Sequence, residues 1–156
     1  MRVALTCLAF LAASPAFALS CMRPDAVRLF EQARDAEAAY YIVKGRVEFL
    51  ETPKTPRPGS KTPARTRAAI KGQALSSSGF NAPFNREVTV ETTCLASWCG
   101  SAENLKGELV MAVEIGLDEL TLEIGPCGGD QVAWDQGAED RLLKCHLDGV
   151  CEPAGF

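Results

Sequence analysis

Apolar and polar positions alternate along this chain in two periods, and the switches between them mark the elements. Val27, Phe30, Ala33 and Ala36 or Ala38 recur at helical spacing, with Arg28, Glu31, Arg34 and Asp35 on the opposite face. Pro24-Asp25 opens that helix, since proline suits a first turn and a carboxylate suits the positive end of the helix dipole. From Tyr40 to Leu50 the pattern becomes that of a strand, rich in aromatic and β-branched residues, with Gly45 as a bend or bulge. A second strand is predicted over Ala68 to Leu75, ended by Ser76-Ser77-Ser78-Gly79, and a third over Glu87 to Thr93. Glu108 to Ile115 and Glu119 to Ile124 form a hairpin around Gly116 to Asp118. Leu120, Leu122 and Ile124 face one way there, and Thr121 and Glu123 the other. Gln136 to His146 closes the chain as a short helix with Leu142 and Leu143 inward.

Five strands, a glycine bend in the first, a long first loop and helices at both ends predict a mainly β fold. The expected form is a small five-stranded Greek-key barrel of the OB type, with a β-sandwich as the alternative. The 156 residues suit one domain. With hydrophobic residues at 47% and charged residues at 23%, disorder and fibrous repeats are excluded.

Residues 1–18 read as a bacterial secretory signal: Arg2, an apolar run, and Ala16-Phe17-Ala18 as an A-x-A cleavage site. Ala18-Leu19-Ser20-Cys21 offers a second reading, a lipoprotein acylated at Cys21, although the leucine usual three residues before the cysteine is here Ala18. Cleavage after Ala18 predicts a single periplasmic or secreted domain over 19–156 with no transmembrane helix, and moves the net charge from −4 to −5. It also removes Cys7, leaving Cys21, Cys94, Cys99, Cys127, Cys145 and Cys151. An even number in an exported chain predicts three disulfides. Cys145 and Cys151 lie close enough beyond the barrel to pair locally.

The stretch 52–67, TPKTPRPGSKTPARTR, has four prolines that forbid a regular ladder and five cations without an acidic residue between them. It is expected to be a mobile, proline-stiffened loop. Lys54, Arg57, Lys61, Arg65 and Arg67 are its candidate contacts with an anionic envelope surface or an acidic envelope protein. Nucleic acid is not expected as a partner, because no aromatic residue interleaves with these charges for base stacking.

Catalytic and cofactor signatures are sparse. The sequence contains no G-x-S-x-G and no H-E-x-x-H. Gly125, Gly128 and Gly129 precede no helix start that would make a phosphate cradle, and four residues rather than two separate Cys94 from Cys99, unlike a thioredoxin-type redox pair. His146 has no serine or free thiol argued to use it as a base. Glu114, Asp118, Glu119 and Glu123 fit a solvated hairpin face better than paired catalytic carboxylates. Trp98 and Trp134 are expected to pack over disulfides. These readings assign no catalytic, cofactor or metal residue and predict a non-enzymatic protein.

Four segments carry a resemblance to a known family. Trp98-Cys99-Gly100, Glu108 to Glu114 and Leu120 to Cys127, together with Ile42-Val43-Lys44-Gly45-Arg46-Val47, are similar to the netrin-like module, which includes the inhibitory domain of tissue inhibitors of metalloproteinases. The resemblance spans most of residues 21–134. It implies an OB-type fold, a binding function that in relatives includes protease inhibition, and a disulfide from Cys21 to Cys127 or Cys99. Cys94 then takes the remaining partner, with Cys99 the first choice. The eukaryotic inhibitors begin Cys-x-Cys with a free amine on the first cysteine. Here Leu19-Ser20 precedes a single Cys21, so no zinc-gripping role is carried over to any residue.

Overall fold

The computed structural model describes residues 21–155; the segment expected to be a secretory signal, and its expected cleavage site, lie outside them. The elements in chain order are α1 (Ala26–Asp35), β1 (Tyr40–Phe49), β2 (Ala64–Ser76), β3 (Gly79–Thr92), β4 (Cys94–Leu95) and β5 (Trp98–Cys99). A 3-10 turn (Ala102–Leu105) then leads to β6 (Leu109–Ile115), β7 (Leu120–Gly125), β8 (Gly128–Gly129), β9 (Gln131–Ala133) and α2 (Gln136–Asp148).

Strands β1, β2 and β3 form an antiparallel meander. β7 joins β3 in parallel, β6 pairs with β7, and β6 also pairs with β1, so the five-stranded sheet closes on itself as an OB-type barrel. β1 can serve two neighbours because it is long and strongly coiled: Val43–Phe49 pair with β2 while Tyr40–Gly45 pair with β6.

Two apolar clusters follow from the two-residue period of the strands. Val43, Ala68, Ile70, Val88, Val90, Leu109, Met111, Val113, Leu122 and Ile124 fill the barrel, with Leu105 of the 3-10 turn added to them. On the outer wall, Ile42, Val110 and Ala112 meet Ala26 and Leu29 of α1 and Ala138 and Leu142 of α2. Strand β6 is therefore buried on both faces, which explains its unbroken apolar run.

Each helix is capped by an aspartate. Asp25 Oδ1 accepts hydrogen bonds from the amides of Val27 and Arg28, and Asp135 Oδ1 accepts one from Ala138. Asp25 Oδ2 also accepts from the Ala154 amide and lies 3.7 Å from Arg141, so one buried carboxylate joins α1, α2 and the C-terminal tail. The disulfides are Cys21–Cys127, Cys94–Cys99 and Cys145–Cys151. Of the two partners left open for Cys21, the structure gives it Cys127.

The strand boundaries differ from the sequence expectation most at the starts of two strands. β2 begins at Ala64 rather than Ala68, and β3 begins at Gly79 rather than Glu87, because Ser77-Ser78 is a hairpin turn and not the end of a sheet region. Asn81 is the extra residue of a bulge between the Ala74↔Ala82 and Leu75↔Phe80 pairs. Pro83 is tolerated inside β3 because β7 pairs with that strand only from Thr89 onward, leaving the earlier edge without a ladder partner.

Candidate functional site

Residues 51–63 of the loop between β1 and β2 are packed down rather than free. Pro56 is buried, the Lys54 amide donates to Thr66 Oγ1, the Ser60 amide donates to the Arg57 carbonyl, and the Gly59 amide donates to the Ala96 carbonyl at 2.6 Å. That last bond attaches the loop to the tip of the β4–β5 hairpin.

The five candidate cations do not form one group. Arg65 and Arg67 belong to β2, not to the loop, and both are held by carboxylates of the barrel wall. Arg65 pairs with Glu119 and, at 3.4 Å, with Glu91, while Arg67 pairs with Glu87 at 2.7 Å. Their alternation with the buried Thr66 is that of a strand with one wet face. Lys54 lies 3.0 Å from Glu51. Arg57 and Lys61 are exposed and have no ion pair among the described residues. The loop itself carries Glu51, Lys54, Arg57 and Lys61, a net charge of +2 on a chain that is negative as a whole.

The β4–β5 hairpin beside this loop is two residues deep on each side, with Cys94 opposite Cys99 and Leu95 opposite Trp98. The disulfide closes its base, and Ala96 at its tip has φ 52°, in the left-handed region. Leu95 and Trp98 are each 57% exposed. More than half of the Trp98 surface is thus open to solvent. Trp134 is held at its polar edge: its Nε1 donates to Glu139 Oε2 at 2.7 Å, and Lys44 Nζ lies 2.9 Å from that oxygen and 5.4 Å from the Trp134 ring centroid.

Most of the remaining chemistry-bearing residues have structural partners; Asp118, in the turn before β7, has no hydrogen bond or ion pair among the described residues. His146 Nε2 lies 2.9 Å from the Ser76 carbonyl oxygen, and its ring meets Phe30 edge-on. The hairpin carboxylates divide. Glu119 accepts from Thr89 Oγ1 and pairs with Arg65, and these contacts hold it below the usual carboxylate range despite a small opposing desolvation. Glu114 and Glu123 instead act on Asp130, whose carboxyl is pushed up to about 6, mainly by burial and then by the charge of Glu123, with Glu114 adding to it. The Tyr40 hydroxyl beside Glu114 is raised for the same reasons, burial first.

Two hollows flank the N-terminal segment. One of about 390 Å³ is lined by Pro24, Arg28, Leu29 and Gln32, and one of about 460 Å³ by Met22, Asn104, Lys106 and Gln131, the Oε1 of which is buried without a hydrogen-bond partner. A third, of about 480 Å³, lies between the helices over Phe30, Ala33, Tyr40, Ile42 and His146. No group of three or more His, Cys, Asp or Glu side chains is arranged to hold a metal ion among the described residues. No helix among them is long and apolar enough to cross a membrane. In comparisons with known proteins, no family model, no curated protein and no solved structure matches the chain.

The exposed Leu95/Trp98 pair is the feature that sequence reasoning missed. The signal was present in Cys94-Leu95-Ala96-Ser97-Trp98-Cys99, since two cysteines this close can staple a hairpin too short to bury its own side chains.

Proposed function

We propose that this protein is an exported, non-enzymatic binding module of the bacterial envelope, netrin-like in character. Its contact surface is the end of the barrel that carries the 51–63 loop. The observation that carries this reading is the contrast within the cation set: Arg65, Arg67 and Lys54 are absorbed by carboxylates, whereas Arg57 and Lys61 are exposed and unpaired among the described residues. In OB-type barrels the loop after the first strand borders the usual ligand face. Exposed cations there favour an anionic envelope ligand.

Three disulfides fit an oxidising compartment, which supports a periplasmic or secreted location after cleavage near Ala18. A lipid anchor on Cys21 would need the sulfur that is bonded to Cys127, so the unanchored form is the better reading. A structural role for His146, held between Ser76 and Phe30, fits a protein that binds rather than catalyses.

The test is equilibrium binding to polyphosphate, a soluble polyanion, across a salt series. Binding that weakens as salt rises, and weakens again in the R57S/K61S variant, supports the reading. Equal binding by parent and variant would refute it.

A further inference from the structure

We propose that the Cys94–Cys99 hairpin seats the protein on an anionic lipid bilayer, with Leu95 and Trp98 entering the interface while Arg57 and Lys61 meet lipid phosphates. This deepens the anionic-ligand reading above and rests on it.

Four observations converge on one end of the barrel. Leu95 and Trp98 are cross-strand partners, so their side chains project from the same face of the hairpin. Both are more than half exposed, although an indole and an isobutyl group side by side lose favourable burial when left in water. The segment Thr93 to Ala102 contains no charged residue that would oppose entry into a lipid interface. The adjoining loop, bonded to the hairpin tip through the Gly59 amide and the Ala96 carbonyl, supplies the unpaired cations.

Each part matches a distinct layer of a bilayer surface. An indole has an apolar body and a single N–H donor, which suits the boundary between headgroup and hydrocarbon. The leucine suits the outermost acyl layer, and a polysaccharide or polyphosphate would offer it nothing. Arginine and lysine suit the phosphate plane just above. The geometry is also set in advance. A disulfide closes the hairpin and the loop braces its tip, so little conformational freedom remains to be lost on docking.

The test uses the oxidised protein with vesicles of phosphatidylglycerol and phosphatidylcholine, and with vesicles of phosphatidylcholine alone, each with and without brominated acyl chains. The mixed vesicles should bind the protein, shift tryptophan emission to the blue and quench it through the brominated chains; W98F should lose the quenching, since Trp134 is tied to Glu139. W98A should weaken partitioning by about tenfold. Replacing Arg57 and Lys61 by serine should weaken it by about fivefold per charge. Far-UV circular dichroism and melting of each variant should match the parent, because the changed side chains are exposed. Salt-sensitive polyphosphate binding without Trp98 quenching would overturn the bilayer inference and leave the anionic-ligand reading standing. Absence of both would overturn both, and vesicle binding indifferent to Trp98 would also overturn the inference.

Discussion

Gly45 of β1 and Gly72 of β2 are direct cross-strand partners packed so closely that neither has room for a side chain. A Cβ on Gly45 would lie 2.3 Å from the Lys71 carbonyl oxygen, and one on Gly72 would lie 2.0 Å from the Lys44 carbonyl oxygen. Both obstacles are backbone, so no rotamer change relieves them. This paired absence of side chains lets the first hairpin coil sharply enough for β1 to leave β2 and meet β6. Gly72→Ala should lower stability by about 2–3 kcal/mol in urea unfolding. Gly155→Ala, where a Cβ would meet only open space, should be close to neutral.

The Lys44–Glu139 pair should show strong coupling. Glu139 is buried, bonded by both Lys44 and Trp134, and the Lys44 ammonium lies 5.8 Å from the Phe80 ring centroid. Glu139→Ala strands a partly buried ammonium and should cost about 3–5 kcal/mol. The double variant K44M/E139A should recover part of that loss, the Trp134 N–H staying unmet, and a double-mutant cycle with the single variants K44M and E139A by chemical denaturation measures the coupling.

Asp130 should make the protein less stable as pH rises from about 4 to about 6. Its folded carboxyl holds a proton more tightly than the unfolded one, so the native state binds the extra proton across that window. Above it, the full penalty of burying the charge near Glu123 and Glu114 remains. Asp130→Asn should therefore raise stability near pH 7 by about 1–2 kcal/mol and change little near pH 4. Thermal melts at the two pH values decide the sign.

Asp25 should act in the opposite direction. Burial alone would raise its carboxyl, but the amides of Ala154, Arg28 and Val27 and the charge of Arg141 outweigh it and hold the carboxyl below its ordinary value. The stability it contributes is present above about pH 4 and lost as pH falls through the lowered folded value. Asp25→Ala should cost about 2 kcal/mol at neutral pH through the lost cap and the unmet amides. It should also release the C-terminal tail at Ala154 to limited proteolysis.

The barrel was legible wherever one strand face is apolar and the other polar, as in Leu120, Leu122 and Ile124 against Glu123. It was hidden where the inward residue is itself polar. Thr66 is buried between Arg65 and Arg67, so the start of β2 reads as basic loop although it is strand. The start of β3 was masked by Asn81, Pro83 and Asn85, which look like punctuation but lie on a bulged or partly unpaired stretch of strand. The cation set was legible by residue type but not by state. Whether an arginine is spent on a carboxylate depends on Glu87, Glu91 and Glu119, which only the sheet register and barrel closure bring to it. The Lys44–Glu139–Trp134 network joins residues from β1 and α2 that no local pattern connects.

The most direct test of the account is a comparison of two charge-matched variants, R57S/K61S and R65S/R67S, for binding to polyphosphate across a salt series. Each removes two cations, so a surface that responds only to net charge treats them alike. R57S/K61S should lose most of the binding and flatten its salt dependence, because Arg57 and Lys61 are the cations free to meet a ligand. R65S/R67S should retain both, because those arginines are already neutralised by Glu119, Glu91 and Glu87. Equal loss in the two variants, or loss confined to R65S/R67S, would contradict it.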